Sequence, residues 1–306
     1  MGDLVSLVRC KSPDEIKNMI YKALDLINYS HDNPVRSVVI KPNLCYYWDA
    51  STGYTTDPRV VSGIIDWVRD RFGENTEIKI AEADASAMRT NLAFLILGYE
   101  KIAREKGVEL KNISDDQGLV EKVTVNKREI EFKVPQFLKE ADLFINVPKL
   151  KIMRITRITC AMKNIFGCIS TPRKVVYHPH LNEAIVGINK VLKPHLTLVD
   201  GLVGLGRYPV KLDLIMASRD AFSMDWIASD IMGYNPSTLD FLKIARKEKV
   251  GNPDGIRTVG EKPDEFRKKF PKASSLPTEY LWSLEIGLLK TYSRILGDII
   301  PPFIQE

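Results

Sequence analysis

The chain predicts an α/β protein: a mostly parallel, helix-covered central sheet with a peripheral β-hairpin and a C-terminal helical tail. Three observations carry that expectation. Apolar, β-branched runs alternate with amphipathic helical runs along most of the chain. The central runs are apolar throughout instead of alternating, as strands buried on both faces are. Helix starts are punctuated, since Ser12-Pro13-Asp14-Glu15 and Asp57-Pro58 each join a capping side chain to a proline at the first helical position.

The elements follow in order. The first cap opens an amphipathic helix over 16–27, and "VVIKPNL" is a strand over 38–44. The helix opened by Asp57-Pro58 ends on Gly73, which suits a C-terminal stop. A strand over 78–84 precedes a helical stretch over 90–107 that contains Gly98. "GVELKNIS" and "EKVTVNKREIEFKVP" alternate at period two and read as peripheral strands, the second a hairpin about Asn126-Lys127. Further strands are expected over 142–147, 195–206 and 211–220, with helices over 181–192, 221–233 and 237–251. From about Gly255 the composition turns charged and Pro-rich. The expected division is one α/β domain over 1–260, then a charged linker and an amphipathic helix over 261–306. In that helix Leu281, Leu284, Leu288, Tyr292, Ile295 and Ile299 form one apolar stripe. It can dock on its own domain, pair a homodimer, or lie on a membrane surface. The mixed charges Glu285, Lys290, Arg294 and Asp298 rank the membrane last.

Composition bounds the function. A length of 306 residues with 44% hydrophobic and 27% charged residues is a globular balance. The net charge of +5 falls short of a nucleic-acid-binding signature and suits an anionic small ligand equally well. Four cysteines, Cys10, Cys45, Cys160 and Cys168, show no CxxC and no ferredoxin spacing. Sparse, unpatterned cysteine suggests a reducing compartment. The N-terminus lacks the build of a signal peptide and no apolar run is long enough to span a bilayer, so a cytoplasmic protein is expected.

Polar residues gather where strands should end. Lys41 and Asn43 close the strand at 38–44, and Glu82 and Asp84 close the one at 78–84. Asn146, Lys149 and Lys151 close the strand at 142–147, and Asp200 the next. Ser218-Arg219-Asp220 close a fifth. In an open α/β sheet ligands bind outside the carboxyl ends of the strands, so the five ends are expected to converge on one crevice. Turns and caps explain any single one of them; the recurrence is the argument. Lys163 and Asn164 sit in the apolar, glycine-punctuated stretch "CAMKNIFGC". Desolvation there would lower the lysine's pKa and suit it as a base or anion clamp. The bland alternative is a stem on the core with its head in water. His178 and His180 would share one side of an extended segment, but no third ligand stands at telling spacing, and no metal site is assigned. "GLVGLG" opens no clear helix and fails as a dinucleotide fingerprint.

The motifs "VVIKPNL", "GYTTDPRVV", "IKIAEAD", "ADLFINVPKLK", "AMKNIFGCI" and "LTLVDGLVG" occur in this order. Together they resemble the large, mainly prokaryotic family catalogued as domain of unknown function 362. The resemblance runs from about Val38 to Glu261. It implies that Lys41, Asn43, Thr55, Thr56, Asp57, Glu82, Asn146, Lys149, Lys151, Lys163, Asn164, Gly167 and Asp200 are held by the family pattern, with Asp220 and Asp225 beyond and His178 as a matching histidine. It also implies contexts with four-iron–four-sulfur modules. This chain has none, so a cluster would belong to a partner. Relatives usually carry a histidine where this chain has Met153.

Two readings result. In the first, an enzyme acts on a small anionic metabolite. Lys41, Lys149, Lys151 and Lys163 clamp a phosphate or carboxylate; Asn43, Asn146 and Asn164 orient it, beside Thr55 and Thr56. Lys163, Glu82, Asp200 or His178 moves protons. A divalent metal on Glu82, Asp84 or Asp200 stays open. In the second, the chain is a non-catalytic factor for an iron–sulfur partner or nucleic acid. The trio Tyr46, Tyr47 and Trp48 is expected to cap the crevice or to form a dimer contact. Replacing Lys149 or Lys163 by alanine is expected to spare folding, because lysines at strand ends contribute little packing.

Overall fold

The computed structural model describes residues 2–85 and 88–270. Five strands run parallel: β2 (Ser37–Lys41), β3 (Glu77–Glu82), β4 (Glu109–Asn112), β7 (Leu143–Asn146) and β10 (Leu196–Leu205). They lie in the order β10-β7-β2-β3-β4, and β11 (Pro209–Ser218) then adds to β10 in antiparallel sense. β1 (Leu4–Arg9) pairs with β11 and carries β12 (Arg257–Gly260) on its outer side. Short β8 (Lys149–Met153) runs parallel to the upper part of β10 and turns back into β9 (Arg157–Thr159). β5 (Leu119–Val125) and β6 (Arg128–Val134) form a separate hairpin. Its turn places Asn126 and Lys127 at φ 49° and 65°, the left-handed pair a two-residue hairpin turn needs.

Helices cover both faces, which explains the uninterrupted apolar strands. On one side α1 (Ile16–Leu26), α2 (Pro58–Phe72), α3 (Thr90–Ile96) and α4 (Tyr99–Lys106) pack Ile20, Ile64, Phe94 and Tyr99 against Val38, Ile40 and Ile145. The opposite side holds α5 (Gln136–Glu140), α6 (Ala161–Ile165), α7 (Leu181–Val191), α8 (Ala221–Ile231), α9 (Asp240–Lys247) and α10 (Pro263–Arg267). Met162, Ile185, Phe222 and Phe241 meet Val39, Phe144 and Val199 there.

Several expectations change. The stretch at 90–107 is two helices, broken where Gly98 takes φ 80°. β1 and β12 are strands that the sequence pattern does not predict. Because β11 is antiparallel, Ser218 lies opposite Thr197 at the amino end of β10, not beside Asp200. The fifth strand end therefore points away from the other four. Asp220 caps α8 by accepting from Ser223 N at 2.6 Å. The segment expected to be a charged linker from 261 packs on the domain over its described part: Phe266 and Phe270 are buried in the core. The apolar stripe from Leu281 to Ile299 lies outside the described residues.

Candidate functional site

Lys41 ends β2 with its side chain buried, and its Nζ donates to Glu82 Oε1 at 2.6 Å and to Pro42 O at 3.0 Å. Glu82 is committed in turn, since Oε1 also accepts from Ala83 N and Oε2 from Leu44 N. The pair is wedged under Gly167: a Cβ there would stand 2.9 Å from Lys41 Nζ and 3.3 Å from Glu82 Oε1. A side chain at position 167 would require the Lys41–Glu82 pair to shift.

Three asparagines form a relay above it. Asn43 Nδ2 donates to Asn164 Oδ1, and Asn164 Nδ2 donates to Asn146 Oδ1, both at 2.8 Å. Asn146 Nδ2 closes the chain on Ala161 O at 3.1 Å. The relay ties the ends of β2 and β7 to α6. Thr56 Oγ1 accepts from Asn43 N and donates to Val147 O, each at 2.8 Å, whereas Thr55 Oγ1 donates to Trp48 O at 2.7 Å. The two threonines thus fix loops and present no free hydroxyl.

Lys149 and Asp200 are the second buried pair, 3.0 Å apart with both side chains almost fully buried. Asp200 also accepts from Asp57 N at 2.7 Å and Leu202 N at 3.1 Å. The Lys149 ammonium makes no well-aligned hydrogen bond, so its stabilisation is the charge contact. Lys41 and Lys149 are therefore each compensated by a carboxylate. They are not free clamps, and Glu82 and Asp200 are not free bases. The same contact argues against the expectation that Lys149→Ala spares folding, since the substitution would strand Asp200 as a buried, uncompensated charge.

Lys151 and Lys163 differ. Lys151 donates to Tyr54 O at 2.9 Å and to Asn43 Oδ1, and meets Cys45 Sγ at 3.1 Å, all without a carboxylate. Lys163 stands half-buried on α6, with no hydrogen bond or ion pair among the described residues. Burial first, then the Lys151 ammonium, pull its pKa down to about 8. The five-residue α6 is held by Asp225 of α8, whose carboxylate accepts from Ala161 N at 2.6 Å and Met162 N at 3.0 Å. His178 lies on an exposed 3-10 turn over Lys174–His180, where partial burial of the ring and the nearby Lys163 charge lower its pKa.

The 3-10 turn also removes the proposed shared side of His178 and His180, because residues two apart in a three-residue turn face different ways. His195 lies at the amino end of β10, its Nδ1 accepting from Phe144 N at 2.9 Å. Asp84 is paired to Arg89 at 3.1 Å. Among the described residues no three His, Cys, Asp or Glu side chains come together as metal ligands. The aromatic trio divides. Tyr46 stacks on Trp48 and both meet Tyr54, whereas Tyr47 Oη accepts from Arg89 N at 2.6 Å.

Two site residues escaped the sequence reading. Lys174 is buried, donates to Asp84 O at 2.8 Å, and has its pKa lowered to about 8, chiefly by burial. In "TPRKVVYH" it looks like a solvated surface lysine. Cys45 is the least buried of the four cysteines; its place directly after Lys41-Pro42-Asn43 was the available signal.

The fold and site define an α/β protein with a lysine–asparagine–carboxylate network at the carboxyl ends of parallel strands. The chain belongs to the family described as Domain of unknown function (DUF362), whose sequence profile matches residues 38–230. It is 32% identical over 128 residues to a thylakoid-associated protein of Synechocystis sp., covering 37% of this chain and 39% of that protein. The chain thus spans well under half the length of that curated relative. Among solved structures, the lactate racemase apoprotein from Thermoanaerobacterium thermosaccharolyticum aligns with a TM-score of 0.44 at 13% identity, covering 65% of this chain and 50% of that one. A Thermotoga maritima protein aligns at 0.38 and 13% identity, covering 61% and 50%.

Proposed function

We propose that this chain is an enzyme that binds and transforms a small metabolite bearing a phosphate or carboxylate. The observation that supports it is the charge balance. Of the four lysines, Lys41 and Lys149 face carboxylates, whereas Lys151 on β8 and Lys163 on α6 keep charge without a carboxylate partner, Lys151 beside the half-buried Cys45. Like charges held side by side without counter-ions repel, and an anion between them relieves that repulsion. The asparagine relay holds Lys151 and anchors α6 beneath Lys163 before the ligand arrives, which lowers the ordering cost of binding. His178, with its pKa lowered, is neutral near pH 7 and is assigned the proton transfers at the rim. Among the described residues no helix is long and apolar enough to cross a membrane.

Calorimetry with inorganic phosphate and with acetate tests the reading. Replacing Lys163 or Lys151 by alanine is expected to weaken binding by about 1.5–3 kcal/mol each, the range for charge-assisted hydrogen bonds. Equal affinity in the parent and both variants would overturn it.

A further inference from the structure

We propose that Lys163 is a nucleophile that forms an imine with the carbonyl carbon of a 2-oxo acid, while Lys151 holds the acid's carboxylate. The inference rests on the anion-binding reading and narrows it to a substrate class.

The geometry separates the two lysines by task. Lys151 is immobilised: two of its three N–H bonds go to Asn43 Oδ1 and Tyr54 O, and the third faces Cys45 Sγ at 3.1 Å. A thiol is a weak acceptor, so a carboxylate oxygen would displace it and gain a charge-assisted bond. Lys163 has no acceptor to leave among the described residues and stands half-buried on α6. A lysine ammonium that is partly desolvated and set beside a second cation loses its proton readily, and a neutral amine is what carbonyl attack requires. Its pKa of about 8 agrees with that placement. Asp225 fixes the backbone under Lys163 through the amides of Ala161 and Met162, so the amine is presented from a rigid turn.

The step balances without an external redox partner. The Lys163 lone pair forms the N–C bond, and the carbonyl oxygen leaves as water with the two amine protons, relayed through His178 and solvent. A carboxylate next to the carbonyl matches one fixed cation beside one free amine. A phosphate monoester lacking a carbonyl would bind but not react.

The full chain is incubated with pyruvate and sodium cyanoborohydride, and adducts are located by peptide mapping. One reduced adduct is expected at Lys163, forming faster than at Lys101, whose side chain is 77% exposed. Its rate should rise as pH passes through about 8. Lys163→Arg should lose the adduct while keeping the parent's circular dichroism. Lys151→Met should slow labelling by pyruvate more than labelling by acetone, which has the carbonyl without the carboxylate and so registers only the loss of the neighbouring cation. Labelling at Lys163 no faster than at Lys101 would overturn the nucleophile. Equal labelling by acetone and pyruvate in the parent would overturn the 2-oxo acid. If phosphate and acetate bind as expected while Lys163 stays unlabelled, the imine falls and the anion-binding reading stands; if neither anion binds, that broader reading fails first.

Discussion

Lys41 and Lys149 cost more to remove than Lys163 because each leaves a carboxylate behind in a place water does not reach. Breaking a buried ion pair by deleting one partner costs about 3–5 kcal/mol. Lys41→Ala and Lys149→Ala are therefore expected to lower the unfolding free energy by that order, read from denaturant midpoints at constant slope. Lys163→Ala strands no partner and removes a partly desolvated charge, so it should destabilise less than either. Equal effects for all three would show that the pairs contribute little. Lys174 adds a pH signature. The unfolded chain keeps this proton up to about 10.5, whereas the folded chain releases it near 8. Between those values the unfolded state binds more protons, so stability rises with pH. Lys174→Met should flatten that rise, though not abolish it, since Lys163 titrates with the same sign. A pH dependence identical to the parent's between pH 8 and 10.5 would remove Lys174 from the account. None of this pairing was legible in the sequence, where Lys41, Lys149 and Lys151 are equivalent lysines about apolar strand ends and Lys163 lies in the apolar stretch between two strands. What distinguishes them is which carboxylate the fold brings opposite, and that is set by contacts as remote as Lys149 with Asp200.

The elements carrying these residues were more legible than their directions. Caps and apolar runs marked β2, β3, β7 and β10 and the longer helices α2 and α7 between them, because burial on both faces leaves a continuous apolar signature. The direction of β11 leaves none, since a buried antiparallel strand reads like a parallel one. That is why Asp220 was grouped with the wrong edge. α6 shows how a very short helix can still position a site. Its five residues are too few to hold themselves, and Asp225 supplies the acceptors for its first amides. Asp225→Ala would leave two buried N–H groups unpaired, at about 1–3 kcal/mol each. It should also lower phosphate affinity, by loosening the backbone under Lys163 and Asn164. Loss of stability with unchanged affinity would confine Asp225 to a structural part. Gly167→Ala tests the same corner sterically. Its Cβ would meet Lys41 Nζ at 2.9 Å, so the ion pair must shift, and the expected outcome is lower stability than the parent. A neutral Gly167→Ala would show that the wedge is not tight.

At the scale of the whole chain, charge and proline content mark the segment after Gly255 as peripheral, yet its described part belongs to the body. β12 pairs with β1, and α10 sets Phe266 in the core while Arg9 lies over the Phe266 ring at 4.9 Å. Phe270 packs on Gly204 and Leu212 near the end of β10. Composition missed this because two buried aromatics among many charges barely move an average. A chain ending at Gly260 would lose both phenylalanines, and burial of this kind is worth about 3–5 kcal/mol per residue when truncated to alanine. Against the roughly 5–15 kcal/mol that holds a typical domain together, it is expected to aggregate or fail to fold. A chain ending at Pro277 keeps Phe266 and Phe270 and lacks only the stripe from Leu281 to Ile299. It should retain the parent's circular dichroism. If the stripe pairs two copies, the truncated chain should also change from dimer to monomer by light scattering, or aggregate where apolar surface is uncovered. A Gly260 truncation as stable as the parent would return the domain boundary to 260, and a Pro277 truncation with unchanged solubility and oligomeric state would make the stripe dispensable to assembly.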